Sequence, residues 1–377
     1  MASKICILIL ILSVTCYGDD NDLRCPNKAL RKCLCGHVVY DYIRQYVVNC
    51  TDTNFRSTDV LENLPSETQV LIFTGNHIPE LPWNVFGPIA KLQDLRTIDM
   101  SNNGIKDIPG KAYHHVENVE MLILNHNELS IADDSHHPRV FSNFINLLEL
   151  HLTNAFEDDT DEALSNDLHD IFVNSNLTRL KKLHLEQNEI QYFRDRQIFC
   201  ELPALMDLHL SNNFLKEINF NITCLKHLRF LDLEYNKFNV LTDYEFRMLD
   251  HIASTPRAEP LVIDLSGNPL ICSEARSLVN WINQTKVTVR RKEALTCSQN
   301  TKDNPILLLK KFLQMSASVT DSTNPLAVII LTLLILTLVC ALLYAYWDKI
   351  LVKSKPLYNT LHRKVHYTTI EAQVDHV

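Results

Sequence analysis

The chain has 377 residues, with 36 Lys and Arg against 45 Asp and Glu and a formal net charge of −9. An acidic balance of this kind argues against nucleic acid or anionic lipid as a partner. Only seven glycines occur, and with no Gly-rich phosphate loop, no H-E-x-x-H and no G-x-S-x-G, neither an enzyme nor a cofactor is expected.

In chain order, Met1-Ala2-Ser3-Lys4 leads into an apolar run from Ile5 to Val14 and then small or polar residues up to Gly18. Charge, short apolar stretch and small-residue exit are the layout of a cleavable secretory signal, predicted over residues 1–18. Residues 19–66 hold Cys25, Cys33, Cys35 and Cys50 in the arrangement C-P-x(6)-C-x-C-x(14)-C and read as an N-terminal cysteine cap.

From residue 67 to 271 one pattern recurs, L-x-x-L-x-L-x-x-N-x-L. It starts at Thr68, Leu95, Val119, Leu180, Leu205 and Leu228, with a weaker copy at Leu147, where Ala155 stands in the Asn position, and a last one from Pro260 to Leu270. Leu-x-Leu makes a short strand with one apolar face, and the Asn amide can satisfy turn backbone groups. No single copy buries its leucines alone, so neighbours must stack under a parallel sheet. The predicted fold is therefore an α/β solenoid, a leucine-rich-repeat horseshoe with a concave strand face.

An acidic insertion, residues 156–176, interrupts the repeats. Thr160-Asp-Glu can start a helix, and Leu164, Leu168, Ile171 and Phe172 fall on one helical face, so a helix packed on the solenoid flank is expected. Residues 268–318 read as a C-terminal cap and stem, with Asn268-Pro-Leu-Ile-Cys272, Trp281 and Cys297. Cys200 and Cys224 lie about one repeat apart and are placed to bridge adjacent repeats on the outer side.

From Pro325 to Trp347 no side chain is charged, and roughly 20 apolar residues span a bilayer as a helix; residues 325–347 are the predicted transmembrane helix. Lys349, Lys353, Lys355, Arg363 and Lys364 follow, which places the tail, residues 348–377, in the cytoplasm. Removing Lys4 and the tail's five basic and three acidic residues leaves 30 basic against 42 acidic residues outside. The tail carries two tyrosine motifs, Tyr358-Asn-Thr-Leu361 and Tyr367-Thr-Thr-Ile370, of the kind read by clathrin adaptors, and Asp375-His-Val377 resembles a PDZ ligand that docks by strand addition. The predicted location is the plasma membrane, single-pass, N-terminus outside.

The two cysteine-rich segments resemble the caps of extracellular leucine-rich-repeat proteins. That resemblance implies Cys25 with Cys35 and Cys33 with Cys50, where sequence alone allows three connectivities. It also implies Cys272 with Cys297, while Glu274 stands where a further cap cysteine belongs, so one bridge of that cap is missing. Two repeat blocks split by a hydrophilic insertion, both caps, the stretch Asn304-Pro-Ile-Leu-Leu-Leu, the span and the short tail together resemble the trophoblast glycoprotein family. Trp281-Ile-Asn-Gln-Thr-Lys-Val and Leu295-Thr-Cys297 carry that likeness best. The resemblance implies a surface protein that dampens Wnt/β-catenin signalling and affects motility.

Outward positions on the strand face, the middle residue of each Leu-x-Leu, are Ile72, Asp99, Ile123, His151, His184, His209, Asp232 and Asp264. Two residues earlier stand Val70, Thr97, Met121, Glu149, Lys182, Asp207, Phe230 and Val262. The face grades from apolar, through a histidine ladder, to acidic, and suits a protein ligand or co-receptor; adhesion is the competing reading. Glu149, Glu186 and Asp207 are expected to raise the histidine pKa values. No metal is expected on the ladder, because histidines on adjacent strands rarely complete a tetrahedron without a fixed further ligand; Asp133-Asp134-Ser135-His136-His137 reads as a solvated loop. Sequons at Asn49, Asn176, Asn221 and Asn283 are expected to lie off the strand face and leave it open.

Overall fold

The computed structural model describes residues 24–88, 92–130, 140–157, 161–173, 175–298, 307–308 and 325–346. The predicted signal, the Asp133–His137 loop and the tail motifs lie outside these residues. The chain divides into two compact units, residues 1–312 and 313–377.

In the first unit, β1 (Leu34–Tyr40) and β2 (Ile43–Asn49) form an antiparallel hairpin. Asp41 and Tyr42 at its turn both have positive φ, 47° and 62°, the backbone that a two-residue hairpin with right-handed strand twist requires. Three-residue strands follow, one per repeat: β3 (Val70–Ile72), β4 (Thr97–Asp99), β5 (Met121–Ile123), β6 (Glu149–His151), β7 (Lys182–His184), β8 (Asp207–His209), β9 (Phe230–Asp232) and β10 (Val262–Asp264). They pair in parallel in sequence order and continue the sheet from β2. The central leucines of the strands point inward and are fully buried, from Leu71 to Leu231.

The asparagines explain why consecutive turns stack so regularly. Asn213 donates from Nδ2 to the carbonyls of Leu185 at 2.9 Å and Leu210 at 3.0 Å. Its Oδ1 accepts from the N–H groups of Asn188 and Ile190, both at 3.0 Å. Each such amide ties its own turn to the one before it, satisfying backbone groups that are cut off from water. Asn76, Asn103, Asn127, Asn188, Asn236 and Asn268 are likewise buried. At the weak repeat Ala155 has no amide to offer, and Leu129 N–H donates to the Ala155 carbonyl at 2.8 Å, as Ile78 N–H does to the Asn103 carbonyl.

Away from the strands, rings fill the solenoid. Phe193, Phe199 and Phe220 meet edge to face at 4.9–5.2 Å between centroids, a favoured aromatic geometry. The insertion forms α1 (Asp161–Phe172) and buries Leu168, Ile171 and Phe172, with Leu164 partly covered; Phe172 reaches Phe199 at 6.3 Å. The helix thus uses its apolar stripe for packing.

Disulfides join Cys25–Cys35, Cys33–Cys50, Cys200–Cys224 and Cys272–Cys297. At the C-terminal end, α2 (Asp243–Ser254), the two-residue strand β11 (Leu270–Ile271) and α3 (Arg276–Gln284) lead to β12 (Thr288–Arg290), which pairs with β10 and ends the main sheet. Then β13 (Thr296–Ser298) pairs with β11 and with β14 (Leu307–Leu308). Trp281 stacks on Phe246 at 4.9 Å and donates its indole N–H to Asp250 at 3.0 Å. These contacts, with the one bridge, close the end where the second bridge is missing.

The second unit contains the helix Pro325–Ala345. Among the described residues no helix is long and apolar enough to cross a membrane; the side chains described in this helix run unbroken only over 329–342.

Candidate functional site

Parallel pairing brings the outward positions into one row. Ile72, Asp99, Ile123, His151, His184, His209, Asp232 and Asp264 are successive register partners across β3 to β10. Asn49 is the register partner of Ile72, so this sequon, expected off the face, heads the row. The hairpin strand β2 extends the sheet by one position before the first repeat, which the repeat pattern does not reveal. Asn176 and Asn283 are exposed, and Asn221 is half-buried.

In the centre of the row the histidine rings stack. His151 lies 4.1 Å from His184 with 9° between planes, and His184 lies 4.2 Å from His209 with 8°. Phe230 closes the column against His209 at 5.3 Å. The spacing is set by the sheet, since neighbouring strands sit roughly 4.8 Å apart.

Carboxylates line the column. Glu186 Oε1 is 2.9 Å from His184 Nδ1 and 3.8 Å from His209 Nδ1, and its Oε2 accepts from Thr153 Oγ1 at 2.8 Å. Asp232 Oδ2 is 3.8 Å from His209 Nδ1. Burial pushes the His184 pKa below its ordinary value, and the neighbouring histidines add to this while Glu186 opposes it. The expectation that the carboxylates raise the pKa fails at His184: taking the ring out of water outweighs the nearby charge.

Glu149 is held down to about 2 by His151 and Lys182, against the opposing effect of burial. The His151 approach, 3.7 Å, is too long for a hydrogen bond, and Lys182 at 2.6 Å makes the direct contact. A carboxyl with a lowered folded pKa stabilises the fold above its unfolded value and loses that contribution as pH falls through the folded one. In Lys182→Met the acid transition, followed by near-UV circular dichroism between pH 4.5 and about 2, should therefore begin at a higher pH than in the native chain. Superimposable transitions would show that the pair contributes nothing.

The acidic end of the row differs from the sequence reading. Asp264 is fully buried, not an open contact position: Arg291 reaches it at 2.6 Å and Arg290 at 3.8 Å, while Arg291 also bonds Glu234 at 2.7 Å. Asp207 is likewise clasped by Arg229 at 2.8 and 3.0 Å, which turns its other arm to Glu259. The repeat pattern could not show these arginines, because they sit at a strand edge and in the cap. Beside Arg229 a depression of about 350 Å³ is lined by Asp207, His209, Arg229, Phe230 and Glu259. The other end keeps Ile72, Asp99 and Ile123 partly exposed.

The leucine rich repeat family profile matches residues 178–238, the stretch that contains β7 to β9. Trophoblast glycoprotein of Macaca fascicularis is 28% identical over 267 residues, 67% of this chain and 60% of that protein. The Mus musculus protein is 29% identical over 287 residues, with the same coverage. A crystal structure of human trophoblast glycoprotein, also called Wnt-activated inhibitory factor 1, superposes with a TM-score of 0.59 at 26% identity, over 70% of this chain and 92% of that one. The chain is a leucine-rich-repeat protein related to trophoblast glycoprotein. It spans 60% of the length of these curated relatives.

Proposed function

We propose that this leucine-rich-repeat chain is a non-enzymatic cell-surface receptor or co-receptor that takes an extracellular protein on its strand face and dampens Wnt/β-catenin signalling. The observation that carries the reading is the in-register row from Ile72 to Asp232, a continuous surface of partly exposed apolar, imidazole and carboxylate groups. Solenoids use such extended surfaces for binding, and an interface wants apolar anchors beside polar groups that fix register. The second name of the related human protein, Wnt-activated inhibitory factor 1, supplies the Wnt component.

The helix Pro325–Ala345 is the membrane anchor in this reading. The described side chains alone do not make a span, but the sequence of its 21 residues carries no charge, and at about 1.5 Å per residue that length suits a hydrocarbon core about 30 Å thick. Its large apolar side chains from Ile329 to Leu342 are 46–66% exposed, on all sides of the helix, as suits a lipid environment. Tyr358 with Leu361 and Tyr367 with Ile370 then serve sorting by clathrin adaptors from the cytoplasmic side.

Cells carrying a Wnt/β-catenin reporter and expressing the full chain should show a reduced response to ligand. Asp99→Lys with Ile123→Arg, which changes two open positions without touching the buried leucines, should restore the response at unchanged surface level. A response equal with and without the native chain would end the Wnt reading. Aggregation of non-adhesive cells on expression would replace it with adhesion.

A further inference from the structure

We propose that His184, Glu186 and His209 form a binding site for a divalent transition-metal cation, zinc fitting best, on the strand face between β7 and β8. One ligand atom from each of the three lies within 4.8 Å of the other two, and this is the one such grouping among the described residues. Two imidazole nitrogens and a carboxylate oxygen are a donor set that zinc takes readily. Around a tetrahedral zinc with bonds of about 2.0–2.2 Å, ligand atoms stand about 3.4 Å apart. The Glu186 oxygen is 2.9 Å from one nitrogen and 3.8 Å from the other, distances that bracket that spacing.

The surroundings favour a cation. Lys182 is engaged by Glu149, Arg229 by Asp207 and Glu259, and Arg291 by Glu234 and Asp264. Glu186 and Asp232 instead face histidines, leaving two carboxylates beside two imidazoles. Thr153 orients Glu186 through its second oxygen, and the Glu234 N–H fixes Asp232 at 3.0 Å; such outer contacts hold ligands in place around a metal. Asp232 Oδ2, 3.8 Å from His209 Nδ1, is a further donor beside the site, which leaves a position for water or for a side chain of a docked protein. The sequence reading sets zinc aside for want of fixed ligands beyond the histidines; Glu186, two residues past His184 and held by Thr153, meets that objection.

Binding has a conformational consequence. Ring nitrogens donate in the ring plane, and the two rings are only 8° from parallel. Each must turn out of the stack for its lone pair to converge on the metal. Binding should therefore move the imidazole NMR signals of His184 and His209, and His151 should lose a stacking neighbour without becoming a ligand.

The full chain, purified in detergent without a polyhistidine tag, is titrated with Zn²⁺ in competition with a chromophoric chelator, and separately with Co²⁺, whose visible absorption reports tetrahedral coordination. The native chain should bind a metal equivalent with Kd of about 1 µM or below and give the Co²⁺ bands. His184→Gln with His209→Gln should remove that equivalent and the bands, and Glu186→Gln should weaken binding about 10-fold or more. His151→Gln should leave the equivalent in place. If the double variant is misfolded, Glu186→Gln and His151→Gln decide by their difference. Equal affinity in the native chain and a folded double variant, or no native binding at about 100 µM Zn²⁺, would overturn the site. The readout is metal content, so its failure leaves the receptor reading untouched.

Discussion

Asn213→Ala should destabilise the solenoid by about 3–6 kcal/mol and sharply reduce the amount of chain that reaches the cell surface. Asn213 is 1% exposed, and its side chain bonds three carbonyls and two N–H groups from two successive turns. Removing it leaves several buried backbone groups without partners, at about 1–3 kcal/mol each, partly recovered where water enters. The loss falls in the middle of the stack, so both flanking blocks lose a neighbour on which their stability depends. The natural Ala155 gives the contrast: there Leu129 N–H pairs with the Ala155 carbonyl, whereas Ile190 N–H pairs with the Asn213 side chain. The reciprocal change Ala155→Asn should consequently give no comparable gain. Urea unfolding and flow cytometry of the two variants check the pair; an Asn213→Ala chain with native stability would show that the amide ladder is dispensable.

Cys297→Ser should cost about 2–5 kcal/mol. Cys272 and Cys297 are both 1% exposed, and their bridge links the residue that follows β11 to β13, 25 residues further on. Without it, Trp281 still ties the cap to α2, through its stack on Phe246 and its bond to Asp250. Combining Cys297→Ser with Trp281→Ala should lose more than the sum of the two, since each contact holds the cap against the other's loss. Retention in the secretory pathway, read as an immature glycan on non-reducing gels, is the expected cellular result. Peptide mapping of the native chain that found Cys272 or Cys297 as a free thiol would remove the premise. By contrast Cys200–Cys224 closes a loop of 24 residues within the stacked repeats, where neighbouring turns already fix both ends, so Cys200→Ser should cost less.

The fold was legible in the sequence to an unusual depth because a repeat states its own geometry. Leu-x-Leu dictates which side chains go in, Asn at a constant offset dictates where the turn closes, and equal strand spacing dictates that every outward residue meets its counterpart. The row from Ile72 to Asp264 therefore follows from the alignment of the copies alone. The stripe Leu164, Leu168, Ile171 and Phe172 likewise announced that the insertion would pack.

What the sequence could not state is what lies outside that alignment. Asn49 joined the face because the hairpin strand β2 entered the sheet, a contact between a cap and a repeat that share no pattern. Asp264 left the open surface because Arg291, whose φ of 50° breaks the chain out of β12, folds back over it. His184 moved below its ordinary pKa because three stacked rings shield one another from water, a burial that depends on side-chain packing across strands. Glu186 became the centre of the candidate metal site for the same reason: its distances to His184, His209 and Thr153 are set by three successive turns at once. Sequence by itself determined the repeat, the strand row and the cysteines at its ends, since these rest on local periodicity. Charge pairing, burial and convergence of side chains were decided by the tertiary structure, because they depend on residues brought together from different turns and from the caps.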